Sequence, residues 1–454
     1  MNIQSFIDRA NDIVWGPPLL VLLVAVGVYL TIRTRAVQFT HLGYALKLCC
    51  TRHDDAAQGD ISQFQALMTA LAGTVGIGSI AGVATAIASG GLGALFWMWV
   101  AAAVGMATKY GEAILAIKYR ITDEKGEMCG GPMYYLERGL KQKWLAVLFA
   151  LFAAVTATCT GNMIQANSVA YATQELFHIK PWVSGLVLMI LTGIPLLGGI
   201  KSIGKVVGIL VPAMAGFYIV GGLIIIFMKV TAIPAAFALI FKSAFNGQAA
   251  IGGFLGAGVM AAIQMGISRG VFSSEAGLGT SPIAAAAAKT DTPGRQALIS
   301  MCTVFLTAGI VCTITGLAIA LTGVLGGRDD TGAILNGSVM VLYAFNKVIP
   351  HGGLIVTIAL IPFAYSTILS WAYYGEKCVE YLFGLIGVKV YRVIFTLLVF
   401  PGAFLSLKTV WGAANVLNGL MAFPNLIGLF ALSSVITSET RSFRHLLRRE
   451  RAAK

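Results

Sequence analysis

The sequence predicts an all-α polytopic membrane protein with about eleven spanning helices. Three observations carry that expectation. Apolar residues fill 57% of the 454 positions and charged residues only 11%, where a soluble domain carries about 25% charged residues. The apolar runs are continuous and long enough, at 1.5 Å per residue, to cross a hydrocarbon core of about 30 Å. A membrane β-barrel would instead show ~10-residue alternating segments. Lysine and arginine, finally, gather in alternate loops, as the positive-inside rule requires.

The spans read, in order, 17–33, 62–88, 93–117, 144–174, 181–199, 206–228, 250–273, 297–322, 352–375, 388–407 and 410–437. The loops after odd-numbered spans, together with the C-terminal tail, hold 23 basic residues against 7 on the opposite side. That asymmetry predicts an outer N-terminus and a cytoplasmic C-terminus. It also accounts for the net charge of +13 without invoking nucleic acid. Asp8, Arg9 and Asp12 precede the first span, which is unlike a cleavable leader. The 7 cysteines show no metal or disulfide spacing. Residues 277–289 are expected to lie along the cytoplasmic face. Residues 337–349 fit either an amphipathic outer lid or a plain surface helix.

Two spans are interrupted by glycine. In the second span the break is Gly73-Thr74-Val75-Gly76-Ile77-Gly78-Ser79; in the seventh it is Gly266-Ile267-Ser268-Arg269-Gly270-Val271-Phe272. Glycine is a poor helix former, and unwound backbone at membrane depth is tolerated only where it lines a site. Paired interrupted spans in matching halves point to a transporter's binding site. Five spans separate the breaks, an odd number, so the second block of five enters the membrane with opposite polarity. The expected organisation is an extra N-terminal helix and loop (1–61), a first five-helix repeat (62–228), a second repeat (250–437) and a basic cytoplasmic tail (438–454).

Several long motifs then resemble the alanine/glycine:cation symporter family. They run from Gly82-Val83-Ala84-Thr85-Ala86-Ile87 and Gly90-Gly91-Leu92-Gly93-Ala94-Leu95-Phe96-Trp97-Met98-Trp99 through Thr108-Lys109-Tyr110-Gly111-Glu112 and Gly130-Gly131-Pro132-Met133-Tyr134. They continue with Gly199-Ile200-Lys201-Ser202-Ile203-Gly204-Lys205, Arg269-Gly270-Val271-Phe272-Ser273-Ser274-Glu275-Ala276-Gly277-Leu278-Gly279 and Tyr373-Tyr374-Gly375-Glu376-Lys377. The resemblance implies a leucine-transporter-type fold of the amino acid–polyamine–cation (APC) superfamily, with a 5+5 inverted repeat. It implies sodium-coupled uptake of alanine or glycine across the bacterial or archaeal cytoplasmic membrane, with sodium as a co-transported ion and no cofactor. One motif departs from the family: the usual Gly-Thr-Gly-Asn of the first break is Gly76-Ile77-Gly78-Ser79 here.

For a zwitterionic substrate the candidate residues follow. Its carboxylate would meet free amides from Val75 to Ser79, at the positive end of the following half-helix, with Thr74, Val75, Gly76, Gly78 and Ser79 as the substrate-binding candidates there. Its ammonium would meet carbonyls freed before each break, including those of Ile267 and Gly270, since no carboxylate lies within either break. Phe272 and Trp371 are candidate walls of a small apolar pocket. Gln165 and Asn167 lie two apart in span four and cannot share a face, so one suits substrate and the other helix packing. Gln264 has the same two readings. For sodium, the Gly73 and Val75 carbonyls are joined by hydroxyls of Ser366 and Thr367, which the resemblance places at an ion site; buried Ser and Thr also commonly back-bond to their own helix. Glu112, Glu275 and Glu376 are expected near cytoplasmic ends as gate or structural ion pairs with Lys109, Arg269 and Lys377.

Other functions are disfavoured. The histidines (His41, His53, His178, His351, His445) lie in loops or at span ends, and no His-Glu-x-x-His motif is present, so an enzyme is not expected. Gly199-x-x-x-x-Gly204-Lys205 imitates a phosphate loop, but Val206 replaces the hydroxyl residue. Proton coupling is the alternative to sodium; with no ionisable residue near the expected midplane, sodium is favoured.

Overall fold

The computed structural model describes residues 3–51, 57–249, 256–405 and 408–452. Helices make up most of it. Among the described residues the one strand pair is a short hairpin, Ile121–Thr122 against Met128–Cys129. Among the described residues, seven helices are long and apolar enough to cross a membrane, eight if a bent pair counts as one span. That pair is Gln63–Thr74 and Ile77–Gly90, bent by 62° at the first expected break. The helix Gly353–Gly402 is two helices, 353–383 and 385–402, because Gly384 (φ 66°, ψ −165°) turns the chain between them. The expected spans 181–199 and 250–273 correspond to helices of 17 residues (Pro181–Leu197) and 16 residues (Val259–Ser274). Residues 250–255 of the latter lie outside the described residues.

The second break is not where the glycines predicted it. Val259–Ser274 runs as continuous helix through Gly266 and Gly270. These glycines serve close packing: any side chain at Gly266 would collide with the Ala94 carbonyl, and one at Gly270 would press on Met98 and Ala101. Both neighbours belong to the Gly93–Lys118 helix, and small residues let two helix backbones approach this way. The chain unwinds one turn later. Glu275 (φ 53°), Gly277 (φ 89°) and Gly279 (φ 83°) are all left-handed, a conformation that costs glycine nothing and other residues about 1–2 kcal/mol. The helix resumes as Ser281–Ala286, every residue of it buried. Residues 277–289 therefore pass through the interior and do not lie along a surface.

Three elements were not anticipated. Ile3–Val14 is an amphipathic helix ahead of the first span, Ile233–Asn246 follows Gly199–Met228, and Ser433–Ala452 is a separate C-terminal helix. The expected span 410–437 ends at Ala431. The segment 337–349 forms the helix Gly337–Asn346, with Met340, Val341, Ala344 and Phe345 buried.

One end of the bundle is tied by main chain. The amides of Asp60 and Ile61 donate to Ala287 O, and Lys289 N donates to Ile61 O at 2.8 Å. Arg120 donates to Ala286 O and Ala288 O at 3.0 and 2.9 Å. The start of the first broken helix is thus locked to the end of the second. Beside it Lys377 is buried and sits 2.8 Å from Glu380, 3.2 Å from Glu127 and 3.8 Å from Asp123.

Candidate substrate and ion site

The two breaks meet at a small cavity of ≈ 20 Å³, about the room one water needs. It is lined from the first break by Gly73, Thr74, Gly76, Ile77 and Gly78, and from the Val259–Ser274 helix and its break by Phe272, Ser273, Glu275 and Leu278. Thr160 and Gln165, Thr367 and Trp371, and Asn418 complete it. Of the residues singled out from sequence, the structure brings together Gly73, Thr74, Gly76, Gly78, Gln165, Phe272, Thr367 and Trp371. Val75, Ser79, Asn167, Ile267, Gly270 and Ser366 do not line the cavity.

Local sequence explains the first break. A capping box, Ser62 with Gln65, starts the first half-helix and satisfies two orphan amides. Val75 N still closes onto Leu71 O at 2.6 Å, so its amide is not free as expected. Gly76 is extended, and Ile77–Ser79 is a 3-10 turn. Ser79 N and Ile80 N bond back to Gly76 O and Ile77 O. The amides at 76–78 therefore precede the first intrahelical bond, where helix N-termini favour anions. The Ser79 hydroxyl is turned inward, 3.3 Å from Thr74 O and 3.0 Å from Ser273 Oγ.

Span 353–383 supplies hydroxyls to the end of the first half-helix. Thr367 Oγ1 donates to Ala72 O at 2.9 Å and Ser370 Oγ to Thr69 O at 2.7 Å. A side chain at Gly76 would come within 2.6 Å of Thr367 Oγ1, so only glycine allows this approach. Ser366 faces elsewhere: its hydroxyl donates to Phe363 O at 3.0 Å and lies 3.5 Å from Met214 Sδ.

The helix Lys143–Phe177 makes a π turn at Cys159–Met163, a form frequent at functional sites. The turn leaves Gly161 against Trp371, with no room for a side chain. Gln165 Nε2 donates to Thr160 O at 3.1 Å, and Asn418 Nδ2 to Thr160 Oγ1 at 3.2 Å. Asn167 instead reaches Ala403 O and Leu405 O, both at 3.4 Å, joining two helices.

Glu112 lies beside Lys109 as expected, but the other two carboxylates pair differently. Glu275 is not beside Arg269 at a span end; it occupies the second break and lines the cavity. Its Oε2 accepts from Thr280 Oγ1 at 2.7 Å. Lys109 Nζ donates to the Glu275 carbonyl at 3.0 Å and lies 3.9 Å from Glu112. Glu112 Oε1 accepts from Gly277 N at 3.0 Å and Asn425 Nδ2 at 2.7 Å; Asn425 also donates to Gly277 O and accepts from Tyr135. This network satisfies backbone that lipid could not. Glu376 pairs with Arg392 and not with Lys377. Arg269 sits over the Phe272 ring at 5.9 Å. Phe272 also lines a second cavity, ≈ 90 Å³, together with Asp12, Gln264, Arg269 and Asn415.

Three buried oxygens around the first cavity have no hydrogen-bond partner: Glu275 Oε1, Gln165 Oε1 and Asn418 Oδ1. Buried polar atoms normally find one, and these three belong to residues that line the cavity. Sequence reasoning missed Thr160, Ser273, Leu278 and Asn418 at the cavity and put Glu275 at a span end. Two signals could have found the important ones. Glu275 opens a Glu-x-Gly-x-Gly run, and Asn418 is an amide inside an apolar span, along with Asn415 and Asn425.

Comparison with known proteins fits this geometry. The model of a family described as the sodium:alanine symporter family matches residues 1–454. The chain is 54% identical to the sodium/alanine symporter AgcS of Methanococcus maripaludis, over 99% of each chain. It is 34% identical to the amino-acid carrier protein AlsT of Bacillus subtilis, over 95% of this chain and 90% of that one. Among solved structures, a substrate-bound, outward-open Na+-coupled sialic acid symporter shares its fold, with TM-score 0.59 and 17% identity, over 93% of this chain and 86% of that one.

Proposed function

From the premise that the chain belongs to the sodium:alanine symporter family, a family of membrane transporters and not of enzymes, we propose that it couples sodium influx to uptake of alanine or glycine by alternating access. The single observation that carries the reading is the cavity between two unwound helices, with amides at 76–78 and unpaired acceptors at Glu275, Gln165 and Asn418. A zwitterion is matched at both ends: its carboxylate by the amides of a helix N-terminus, its ammonium by the acceptors. That pairing replaces the carbonyls of Ile267 and Gly270, which lie in intact helix. Trp371 and Phe272 wall the pocket and limit it to a small side chain.

Sodium takes oxygen ligands, and we place it where Thr367 approaches the end of the first half-helix. The Gly73 and Val75 carbonyls and the Thr367 hydroxyl are its ligands in this reading, with Ser370 one turn further along the same face. Ser366, directed at Met214, plays no part. The proposed frame is the APC-type one: about eleven spans, an extra N-terminal helix, blocks 62–228 and 250–437 as inverted repeats, and an outer N-terminus with cytoplasmic C-terminus in the cell membrane.

Proton coupling is the second reading, and one observation favours it. Glu275 lines the cavity, and a carboxylate there removes the sequence-based argument against a proton relay. Sodium now rests on the family and on the Thr367 approach. The test is uptake of radiolabelled alanine into proteoliposomes under a sodium gradient, then under a proton gradient alone. Uptake is expected with sodium only; equal uptake with protons alone would overturn the assignment.

A further inference from the structure

The C-terminal helix Ser433–Ala452 carries both signs of charge but presents them on different sides. Its glutamates dock it to the bundle: Glu439 reaches Lys118 at 2.8 Å, and Glu450 reaches Arg295 at 2.6 Å. Phe443 is buried against Gly294, where any side chain would collide with its ring, and lies 6.0 Å from the Arg295 guanidinium. Leu447 is also buried. Arg441, Arg444 and Arg448 are left to face the end of the Pro17–Arg33 helix.

There they enclose a cavity of ≈ 230 Å³ lined by Arg33, Arg35, Arg441, Arg444, His445 and Arg448, with threonine hydroxyls between them. A neighbouring cavity of ≈ 300 Å³ shares Arg35, Arg444 and Arg448. Among the described residues, no carboxylate lines either. The wall is built, not a loose surface stripe: Arg444 Nη2 donates to Thr34 O at 2.6 Å, fastening the C-terminal helix to the turn that follows residue 33. That turn holds Arg35 and Ala36 both left-handed (φ 54° and 51°), a strain that persists only where surroundings enforce it. Burial, and then the like charges of Arg35 and Arg448, hold the Arg444 guanidinium below its ordinary value.

We infer that this arginine-lined cleft binds a phosphate-bearing anion, the headgroup of an anionic membrane lipid or free inorganic phosphate. Five guanidiniums around one hollow repel each other, and an anion that accepts from several of them offsets the repulsion; arginine's planar fork matches phosphate oxygens. The lipid source has a second argument. Ile32 and Phe39, 70% and 61% exposed, flank the arginines at the end of a membrane-length helix. That places the cleft where acyl chains end and headgroups begin. Basic pockets at such positions attract anionic lipids at about 1 kcal/mol per arginine.

The inference does not rest on the transport reading, and its test needs no transport. The full chain, purified in neutral detergent, is titrated with phosphatidylglycerol, with phosphatidylcholine and with inorganic phosphate. Bound lipid is read by native mass spectrometry and unfolding by thermal melting. Wild type is expected to retain phosphatidylglycerol but not phosphatidylcholine. Arg441→Gln/Arg448→Gln should need about 30-fold more phosphatidylglycerol, whereas Arg449→Gln, on the same helix but outside the cleft, should bind as wild type. Arg33→Gln serves as an independent variant if the double variant melts early in detergent alone. A melting shift with inorganic phosphate that is lost in the variants would assign the site to free phosphate. Absence of binding by either anion, or equal binding by wild type and the cleft variants, would overturn the inference.

Discussion

The two breaks in this bundle reach the same cavity by different physics. The first, at 73–80, is built from glycine and a 3-10 turn, and neutral hydroxyls of Thr367, Ser370 and Ser79 take up its freed carbonyls. The second, at 275–280, uses three left-handed residues and a buried charged network of Lys109, Glu112 and Asn425. One break leaves amides open for an anion. The other brings a carboxylate, Glu275, to the cavity wall. The difference teaches that a glycine pair in an apolar span has two meanings, packing or unwinding, and that polar partners on neighbouring helices decide between them.

The largest expected effect tests the charged break. Lys109→Met leaves Glu112 buried without its cation, and breaking a buried pair this way costs about 3–5 kcal/mol. Thermal melting in detergent should fall sharply, with alanine uptake lost. A normal melting temperature would show that the network does not hold the second break.

The neutral break should respond functionally with little loss of stability. Thr367→Ala removes the hydroxyl at the end of the first half-helix. The sodium concentration for half-maximal uptake should rise about 10-fold, the equivalent of about 1.4 kcal/mol for one lost polar contact. Ser366→Ala, one residue away but turned to Met214, should stay within about 2-fold of wild type. Equal effects of the two would remove the distinction drawn between them.

Phe272 lines both the first cavity and the second. Phe272→Ala should let leucine compete with alanine, measured by a competition panel. Continued exclusion of leucine with normal alanine binding would show that another residue sets the size limit. The smallest effect belongs to Asn167→Ala: about 1 kcal/mol of stability from its bonds to Ala403 O and Leu405 O, with no change in the KM for alanine.

Much of this was legible in the chain. Apolar run length and the alternation of basic loops give the membrane bundle, and Gly73 to Ser79 give the first break, because three glycines in six residues lack helix propensity. The second break was misread because Gly266 and Gly270 have the same composition as an unwound segment; their role depends on Ala94, Met98 and Ala101, far earlier in the chain and invisible to a local window. Glu275 followed that error outward to a span end. Asn418 and Thr160 were missed for another reason. Each lines the cavity only because a π turn and a distant helix meet there.

The central claim is that the substrate's ammonium is held at the second break by Glu275. Sodium-dependent binding of radiolabelled alanine to purified Glu275→Gln, at constant melting temperature, tests it most directly. The account predicts affinity weakened on the order of 10- to 100-fold, as expected for loss of a charged hydrogen-bond partner. Wild-type affinity in that variant would contradict it.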